Sequence, residues 1–227
     1  MRNVVLSGVI ALAVAALGAW WMTSSAGTSN QAAANLLGAA HAQDSDAEID
    51  LSLVEEMTLG AEDAPVTIVE YASFTCPHCA SFHASQFKEL KSEFIDTGKV
   101  KFVYRDVYFD RFGLWAAMVA RCGGPERFFG ISDMIYEQQR DWIGSGQDPV
   151  AITNNLRRIG KVAGLSDDQL DACLSDADKA QALVAVYQQN AEADGVNSTP
   201  TLIINGEKHG NMPYADLKGI IEGQLPQ

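Results

Sequence analysis

Short β-branched runs and longer runs with helical periodicity alternate along the chain from about residue 51. Residues 66–71 are apolar and β-branched, which is typical of a short buried strand. Residues 80–95 repeat apolar side chains at near-helical spacing and predict an amphipathic helix, and residues 100–109 alternate as a second strand. Because a strand, a helix and a strand follow one another, we predict a parallel strand pair joined by a right-handed crossover.

Helical patterns dominate the middle of the chain. Residues 114–122 are apolar and rich in alanine, and Gly123-Gly124-Pro125 ends this helix and begins another. Further helices are predicted over residues 150–162 and 177–194. We therefore predict one helical insertion over about residues 113–190.

The end of the chain returns to strands. Residues 201–204 form a short apolar run, and Asn205-Gly206 is a strong hairpin signal, so a partner strand is expected from Glu207. Residues 214–224 predict a closing helix. The whole pattern predicts an α/β fold, in which a mixed sheet with flanking helices is interrupted by the helical insertion.

The first 43 residues differ in composition from the rest, because their only charged side chain is Arg2. An uncharged run from Val4 to Met22 follows this positive start, which is the layout of an export signal. The small residues at positions 40–42 fit the usual cleavage pattern before Gln43. A cleaved signal peptide would therefore end at residue 42.

The same apolar run is also long enough to approach a membrane span. Trp20-Trp21 lies at its outer end, where aromatic side chains anchor spans at the interface. Residues 1–42 are thus predicted to be either a cleaved signal peptide or a retained membrane anchor, with residues 43–227 as the folded domain. In both cases the folded domain works outside the cytoplasm.

Composition and charge exclude several classes of protein. Of 227 residues, 47% are hydrophobic and 20% are charged, as in ordinary globular proteins. A net charge of −13 excludes the basic surface of a nucleic-acid-binding protein, and would also repel anionic lipids. Four cysteines are too few for a small scaffold held together mainly by disulfides.

The sequence Cys76-Pro77-His78-Cys79 directly follows the first predicted strand and opens a helix. The free N–H groups and the dipole at a helix start favour a thiolate at Cys76, which makes it the predicted nucleophile. His78 adds positive charge or a donor beside this sulfur and is a predicted thiolate stabiliser. Cys79, one turn inside the helix, is the predicted resolving thiol. A stabilised thiolate makes the Cys76–Cys79 disulfide a stronger oxidant.

Two other interpretations of this motif remain open. Cys76, Cys79 and His83 could form half of a zinc site, which would need at least one more ligand. A purely structural disulfide between Cys76 and Cys79 is the second, although the loop between them is very tight. We favour redox activity and expect neither a metal nor another cofactor.

Residues 69–79, which read Val-Glu-Tyr-Ala-Ser-Phe-Thr-Cys-Pro-His-Cys, and the later Ser198-Thr199-Pro200-Thr201 resemble the thioredoxin superfamily. The C-P-H-C centre and the helical insertion resemble its DsbA branch, the exported thiol oxidases of bacteria. The resemblance covers about residues 50–225. It implies a thioredoxin fold interrupted by a helical domain.

The same resemblance implies an activity and its partners. The expected activity is donation of the Cys76–Cys79 disulfide to reduced, unfolded proteins newly exported to the periplasm. The expected partner for reoxidation is a DsbB-like, quinone-linked membrane oxidase. We expect a monomer that binds no nucleic acid and contacts the membrane only through an N-terminal anchor.

The resemblance also implies roles for single residues. Pro200 matches the cis-proline that faces the cysteine pair, and the backbone of Thr199 would pair with an extended substrate; an ordinary trans proline is the alternative. Glu70 matches a buried acid that moves a proton beside Cys79, unless it is a solvent-exposed strand-end acid. Arg105 is a possible cationic neighbour of Glu70, or an exposed side chain.

Cys122 and Cys173 both lie in the predicted helical insertion. A leftover pair in an exported protein most often forms a structural disulfide, and some members of the family have one in this domain. In the chain-entropy model, a bond across this loop would stabilise the fold by roughly 4 kcal/mol. Two free buried thiols are the alternative.

Two other functions remain as alternatives. The first is disulfide isomerisation or reduction on the same fold, which usually requires a dimerisation domain ahead of the thioredoxin part. The second is a non-enzymatic module, either chaperone-like or metal-carrying. An acidic stretch as short as residues 43–60 has no room for a dimerisation domain, which favours the oxidase.

Overall fold

The computed structural model describes residues 48–226. The predictions of a signal peptide or an anchor over residues 1–42 lie outside this range. Among the described helices, none is both long enough and apolar enough to cross a membrane.

A five-stranded mixed sheet lies at the centre of the described fold. Its strands follow the order β1-β3-β2-β4-β5 across the sheet. The central β2 and β3 are parallel, as the strand-helix-strand pattern predicts, and the other pairs are antiparallel. The strands are β1 (Met57–Leu59), β2 (Val66–Ala72), β3 (Val100–Asp106), β4 (Thr201–Ile204) and β5 (Glu207–Gly210).

Nine α-helices accompany this sheet within the described residues. Six of them follow one another between β3 and β4, where the sequence predicts the helical insertion. The helices are α1 (Pro77–Ala84), α2 (Gln86–Leu90), α3 (Arg111–Cys122), α4 (Pro125–Glu137), α5 (Gln139–Ile143), α6 (Pro149–Val162), α7 (Asp167–Ser175), α8 (Ala177–Ala193) and α9 (Tyr214–Gln224). A 3-10 turn (Leu51–Leu53) precedes β1, and α2 continues as a π-helical turn (Lys91–Ile95).

The structure corrects the sequence prediction at two elements. The single helix expected over residues 80–95 is interrupted at Ser85, whose backbone angles of φ −130° and ψ −81° are not helical. The hydroxyl of Ser85 donates to the carbonyl of Ser81, so this side chain pairs with a backbone carbonyl of α1 next to the break. The sequence prediction also missed β1, which pairs antiparallel with β3 along only three residues.

The sheet and the helices share one apolar core. Ile68 and Phe102 on the sheet are fully buried, as are Phe128 and Ile135 on α4. Trp142 on α5 is also fully buried and donates from Nε1 to the carbonyl of Ile135 at 2.8 Å. Burying side chains of this size contributes about 1.5–3 kcal/mol each.

A disulfide joins Cys122 at the end of α3 to Cys173 in α7. These are the two cysteines for which the sequence predicts a structural bond. The bond connects two helices of the helical part across 51 positions of sequence, well outside the Cys76–Cys79 motif.

Candidate active site

The end of β2 and the start of α1 place the two cysteines of the motif. Apolar residues hold β2 in the sheet, and the chain turns after Ala72. Cys76 is the N-cap of α1, and Pro77 occupies the first helical position, where a proline loses no hydrogen bond. Cys79 lies within the first turn. Both cysteines carry free thiols; Cys76 is 7% exposed and Cys79 is fully buried.

The environment of Cys76 favours its thiolate. The pKa of Cys76 is lowered from the ordinary 9.0 to about 5, mainly by a hydrogen bond from the Cys79 side chain. The Thr199 side chain and the backbone N–H groups of Cys79 and His78 add to this effect, while burial opposes it. Cys76 is therefore ionised at neutral pH when the motif is reduced.

The environment of Cys79 has the opposite effect. Burial raises the pKa of Cys79 far above its ordinary value, and the interaction with Cys76 and the negative charge of Glu70 raise it further. Cys79 is therefore a neutral thiol over the whole physiological pH range. Two sulfurs in one helical turn thus carry different charges in the reduced motif.

His78 lies between these cysteines with an exposed side chain. Its backbone N–H contributes to the lowered pKa of Cys76, at the start of α1. The role predicted for the imidazole of His78 stays a prediction.

The segment before β4 faces the same sulfur. The Thr199–Pro200 peptide bond is cis, and Pro200 is buried. The Cys76 thiol donates to the carbonyl oxygen of Thr199 at 3.6 Å. The backbone of Thr199 therefore lies directly beside Sγ of Cys76, the more exposed of the two sulfurs. Pro200 has no N–H and so cannot donate a backbone hydrogen bond to this sulfur.

Glu70 lies in β2 and is fully buried, so the alternative of a solvent-exposed acid does not hold. Oε2 of Glu70 accepts a hydrogen bond from Nε2 of His83 at 2.9 Å. Oε1 has no hydrogen-bond partner within residues 48–226. The proton-transfer role predicted for Glu70 stays a prediction.

The suggested pairing of Arg105 with Glu70 is wrong. In the register of β2 with β3, Glu70 is opposite Tyr104, and Arg105 is opposite Tyr71. Because successive side chains of a strand point to opposite faces, Arg105 and Glu70 leave the sheet on different sides. Arg105 instead forms ion pairs with Glu56 at 3.0 Å and Asp194 at 3.1 Å.

The sequence interpretation missed Gln139, which connects the helical part to the cysteine loop. Its Nε2 donates to the carbonyl of Phe74 at 2.8 Å and to that of Cys76 at 2.9 Å. Gln139 is 6% exposed. It lies 63 positions after Cys76 and belongs to no motif, so no sequence signal could have found it.

His83 was considered only as a zinc ligand, and the structure gives it another partner. It lies four residues after Cys79, on the same face of α1, and pairs with Glu70. Within the described residues, no three His, Cys, Asp or Glu side chains cluster in a way that could hold a metal ion.

The family of the chain follows from comparison with known proteins. A family model described as Thioredoxin matches residues 52–223. The chain belongs to the thioredoxin family. The mixed sheet, the flanking helices and the interposed helices of this thioredoxin-family chain confirm the fold class predicted from its sequence.

Similar sequences in this family carry names that refer to disulfide chemistry. A Rickettsia bellii protein named as a protein-disulfide oxidoreductase is 33% identical over 173 residues, which are 76% of this chain and 65% of the relative. Disulfide bond formation protein D of Bacillus subtilis is 25% identical over 182 residues, covering 77% of this chain and 79% of that protein. The chain spans only 65% and 61% of the length of the Rickettsia bellii and Rickettsia conorii relatives.

Solved structures show the same architecture. Wolbachia pipientis alpha-DsbA1 has a TM-score of 0.68 and 26% identity, covering 75% of this chain and 90% of that one. The protein-disulfide isomerase of Novosphingobium aromaticivorans has a TM-score of 0.69 and 26% identity, covering 76% of this chain and 98% of that one. The resemblance to DsbA that the sequence indicated is thereby confirmed.

Proposed function

We propose that this protein is a thiol:disulfide oxidoreductase that donates the Cys76–Cys79 disulfide to reduced, unfolded proteins. The observation that carries the proposal is the different ionisation of the two thiols: Cys76 is anionic and slightly exposed, and Cys79 is neutral and fully buried. The names of the relatives, which refer to disulfide oxidoreductases and disulfide bond formation, support the same chemistry.

The exchange proceeds in two steps. A substrate thiolate attacks Sγ of Cys76 in the disulfide form, the Cys76–Cys79 bond breaks, and Cys79 leaves and takes up a proton. A second substrate thiolate then attacks the substrate sulfur of the mixed disulfide, and Cys76 leaves as a thiolate. The substrate loses two electrons and two protons; the protein gains the electrons and one proton, and water takes the other.

The lowered pKa of Cys76 supports the oxidase direction of the exchange. Whatever stabilises Cys76 as an anion stabilises the reduced protein, and this makes its disulfide a stronger oxidant. This supports the oxidase direction, and we further propose that the protein works in the periplasm as a monomer. A DsbB-like, quinone-linked membrane oxidase would restore the disulfide.

Substrates would be held through their backbone. The Thr199 carbonyl lies 3.6 Å from Cys76 Sγ, so an extended chain pairing with Thr199 would bring its own cysteine to the disulfide. Main-chain pairing suits an enzyme with many substrates, because every substrate has a backbone.

Cysteine substitutions test the activity. Cys76→Ser should abolish oxidation of a reduced dithiol peptide. Cys79→Ser should accumulate a mixed disulfide when it reacts with oxidised glutathione, because Cys76 displaces one glutathione thiolate and Cys79 is no longer there to release the other. The double variant Cys122→Ala/Cys173→Ala is the matched control, because it also removes two sulfurs but leaves the motif intact. Full peptide oxidation by Cys76→Ser would contradict the proposal.

Isomerisation is the second candidate, because one solved structure of similar fold is named a protein-disulfide isomerase. The two activities differ in the starting form of the protein. An oxidase acts on a reduced substrate from its disulfide form, whereas an isomerase acts on a scrambled substrate from its dithiol form. Faster recovery of a scrambled protein than oxidation of a reduced one would favour the isomerase.

A further inference from the structure

His83 takes no part in the thiol exchange itself, although it lies one turn beyond Cys79 in α1. Its side chain is only 3% exposed. Nε2 donates to Oε2 of Glu70 at 2.9 Å, while Nδ1 has no hydrogen-bond partner among residues 48–226. Because buried polar atoms in folded proteins nearly always have a hydrogen-bond partner, a water molecule is the expected partner of Nδ1.

A crevice beside His83 offers the space for that water. It lies between α1, α2 and α4 and has about 10 Å³ for the centres of water molecules, which is room for about one. Asp133 is half-buried in its wall, and Glu137 is exposed. The crevice therefore leads from His83 toward solvent on the side of α1 that is lined by α4. Its other lining residues are Ala80, Ala84, Lys88 and Tyr136.

The first thiol-exchange step and its reversal both move a proton at Cys79, a place that bulk water does not reach. Cys79 must be protonated when it leaves the disulfide, and deprotonated when it attacks a mixed disulfide. Cys79 and Glu70 are both fully buried. A proton for either group has to cross the protein.

We propose that His83 is the proton-transfer residue that connects Glu70, and through it Cys79, to water in the crevice beside Asp133. This inference rests on the proposed oxidoreductase function. When Cys79 leaves the disulfide, Nε2–H of His83 gives a proton to the Glu70 carboxylate, which passes a proton on to Cys79 and is again a carboxylate. Nδ1 takes a proton from water at the same time. When Cys79 attacks, each transfer runs in reverse.

The other groups that face His83 do not offer a competing route. The ring of Tyr136 stacks on the His83 ring with 4.3 Å between ring centroids, and the centroid of the Tyr104 ring lies 6.1 Å from that of His83. Their hydroxyls hydrogen-bond to each other, and burial raises the pKa of both tyrosines well above the ordinary value. Both therefore stay neutral during the exchange.

Three ionisable side chains on the outer side, Asp133, Lys88 and Glu137, complete the surroundings of His83. Asp133 on α4 lies in the wall of the crevice, and burial raises the pKa of its carboxyl. Lys88 on α2 is directed to Glu137, with 3.3 Å between its Nζ and Oε1 of that carboxylate. Asp133 is thus the acid at the end of the path.

The first test uses His83→Gln. The glutamine amide can still donate a hydrogen bond to Glu70, but unlike imidazole it cannot release a proton from one nitrogen while another nitrogen accepts one. The measured step is release of glutathione from its mixed disulfide with Cys76 as Cys79 attacks, followed by stopped flow from pH 5 to 9. We expect this step to slow about tenfold and to change its pH dependence, with the equilibrium reduction potential unchanged. Glu89→Gln, an exposed acid on α2 outside the crevice, is the control and should keep the wild-type rate.

The second test uses His83→Ala and added imidazole. A free imidazole can occupy the space of the missing ring, so we expect the rate to recover as the imidazole concentration rises, but not with sodium chloride at equal ionic strength. If His83→Ala does not fold, the rate of His83→Gln decides alone. An unchanged glutathione-release rate in His83→Gln overturns the relay. A slower release rate that comes with a shifted reduction potential and is not rescued by imidazole in His83→Ala overturns it as well.

The same experiments separate the relay from the function on which it rests. If the wild-type protein does not oxidise a dithiol peptide, the proposed function is wrong. If the wild-type protein oxidises the peptide and the His83 variants keep its glutathione-release rate, only the relay is wrong.

Discussion

The difference between the two thiols arises from one helical turn of sequence. Cys76 is at the N-cap, where backbone N–H groups are free and the surface is near, and Cys79 is inside the core next to Glu70. Identical side chains thus acquire different charge states from their positions and from their contact with each other. A change at one thiol should therefore also alter the pKa of the other.

Alkylation across pH tests this difference at single residues. In the reduced protein, labelling of Cys76 should have its midpoint near pH 5, because its pKa is about 5, while Cys79 stays unlabelled. Cys79→Ala should raise that midpoint, because the Cys79 side chain is the main cause of the lowered pKa. Cys79→Ser, which keeps a donor, should raise it less. Labelling of Cys79 before Cys76 would contradict the assignment of the nucleophile.

Gln139 is expected to hold the cysteine loop. Gln139→Leu leaves the carbonyl of Phe74 buried without this donor, which should lower the free energy of unfolding by about 1–3 kcal/mol. Urea unfolding of the oxidised protein measures this loss. The control is Gln147→Leu, the same exchange at an exposed loop position. Equal stabilities of the two variants would show that the bonds of Gln139 carry no net stability.

Which site residues could be predicted depends on where their partners lie. Cys76, Cys79 and Glu70 belong to one continuous motif, and the sequence was sufficient to single them out. The partner of Glu70 depends on strand register and on the face of α1, so Arg105 was a wrong choice, and His83 was considered only as a metal ligand. Gln139 reaches the loop from a distant helix, which no local pattern indicates.

At the scale of elements, strong periodicity was predictable and local interruptions were not. The parallel pair β2–β3, the hairpin β4–β5 and the succession of helices after β3 follow from apolar spacing and from the glycine and proline signals. The break at Ser85 depends on a side-chain hydrogen bond, and β1 is too short for its alternation to be distinguished from a loop. Both depend on contacts that the tertiary fold supplies.

The disulfide between α3 and α7 is expected to stabilise the helical part without taking part in exchange. Cys122→Ala/Cys173→Ala should lose up to about 4 kcal/mol of stability, since the bond closes a loop of 51 positions. Thermal unfolding measures the loss, and oxidation of a dithiol peptide should proceed at the wild-type rate. Two free thiols in the mass spectrum of the untreated protein would remove the basis of this expectation.

At the scale of the whole molecule, the helices and the sheet act as one support for the cysteine loop. Asp106 at the end of β3 and Arg121 on α3 form a buried ion pair at 2.7 Å, and Gln139 on α5 donates to two carbonyls of the cysteine loop. The Thr199 backbone approaches from the sheet. The ionisation of Cys76 is therefore a property of the folded state, and folding must depend on pH when the motif is reduced.

The sign of that dependence follows from the lowered pKa of Cys76. Because the pKa is about 5 in the folded protein and 9.0 ordinarily, the folded reduced form gains stability as pH rises from 5 to 9. The gain is complete above 9 and is lost as pH falls through 5. Cys79 adds nothing over this range, since its raised pKa keeps it neutral.

Thermal unfolding of three forms tests this linkage. Reduced wild type should gain stability between pH 5 and pH 9 relative to reduced Cys76→Ser, whose hydroxyl does not ionise in this range. The oxidised protein should also lack the gain, because neither sulfur titrates in a disulfide. The same pH profile in all three forms would show that the thiolate is not stabilised by folding, and a gain toward low pH would reverse the sign. A gain confined to the reduced wild type would connect the stability of the whole fold to the oxidising strength of its disulfide.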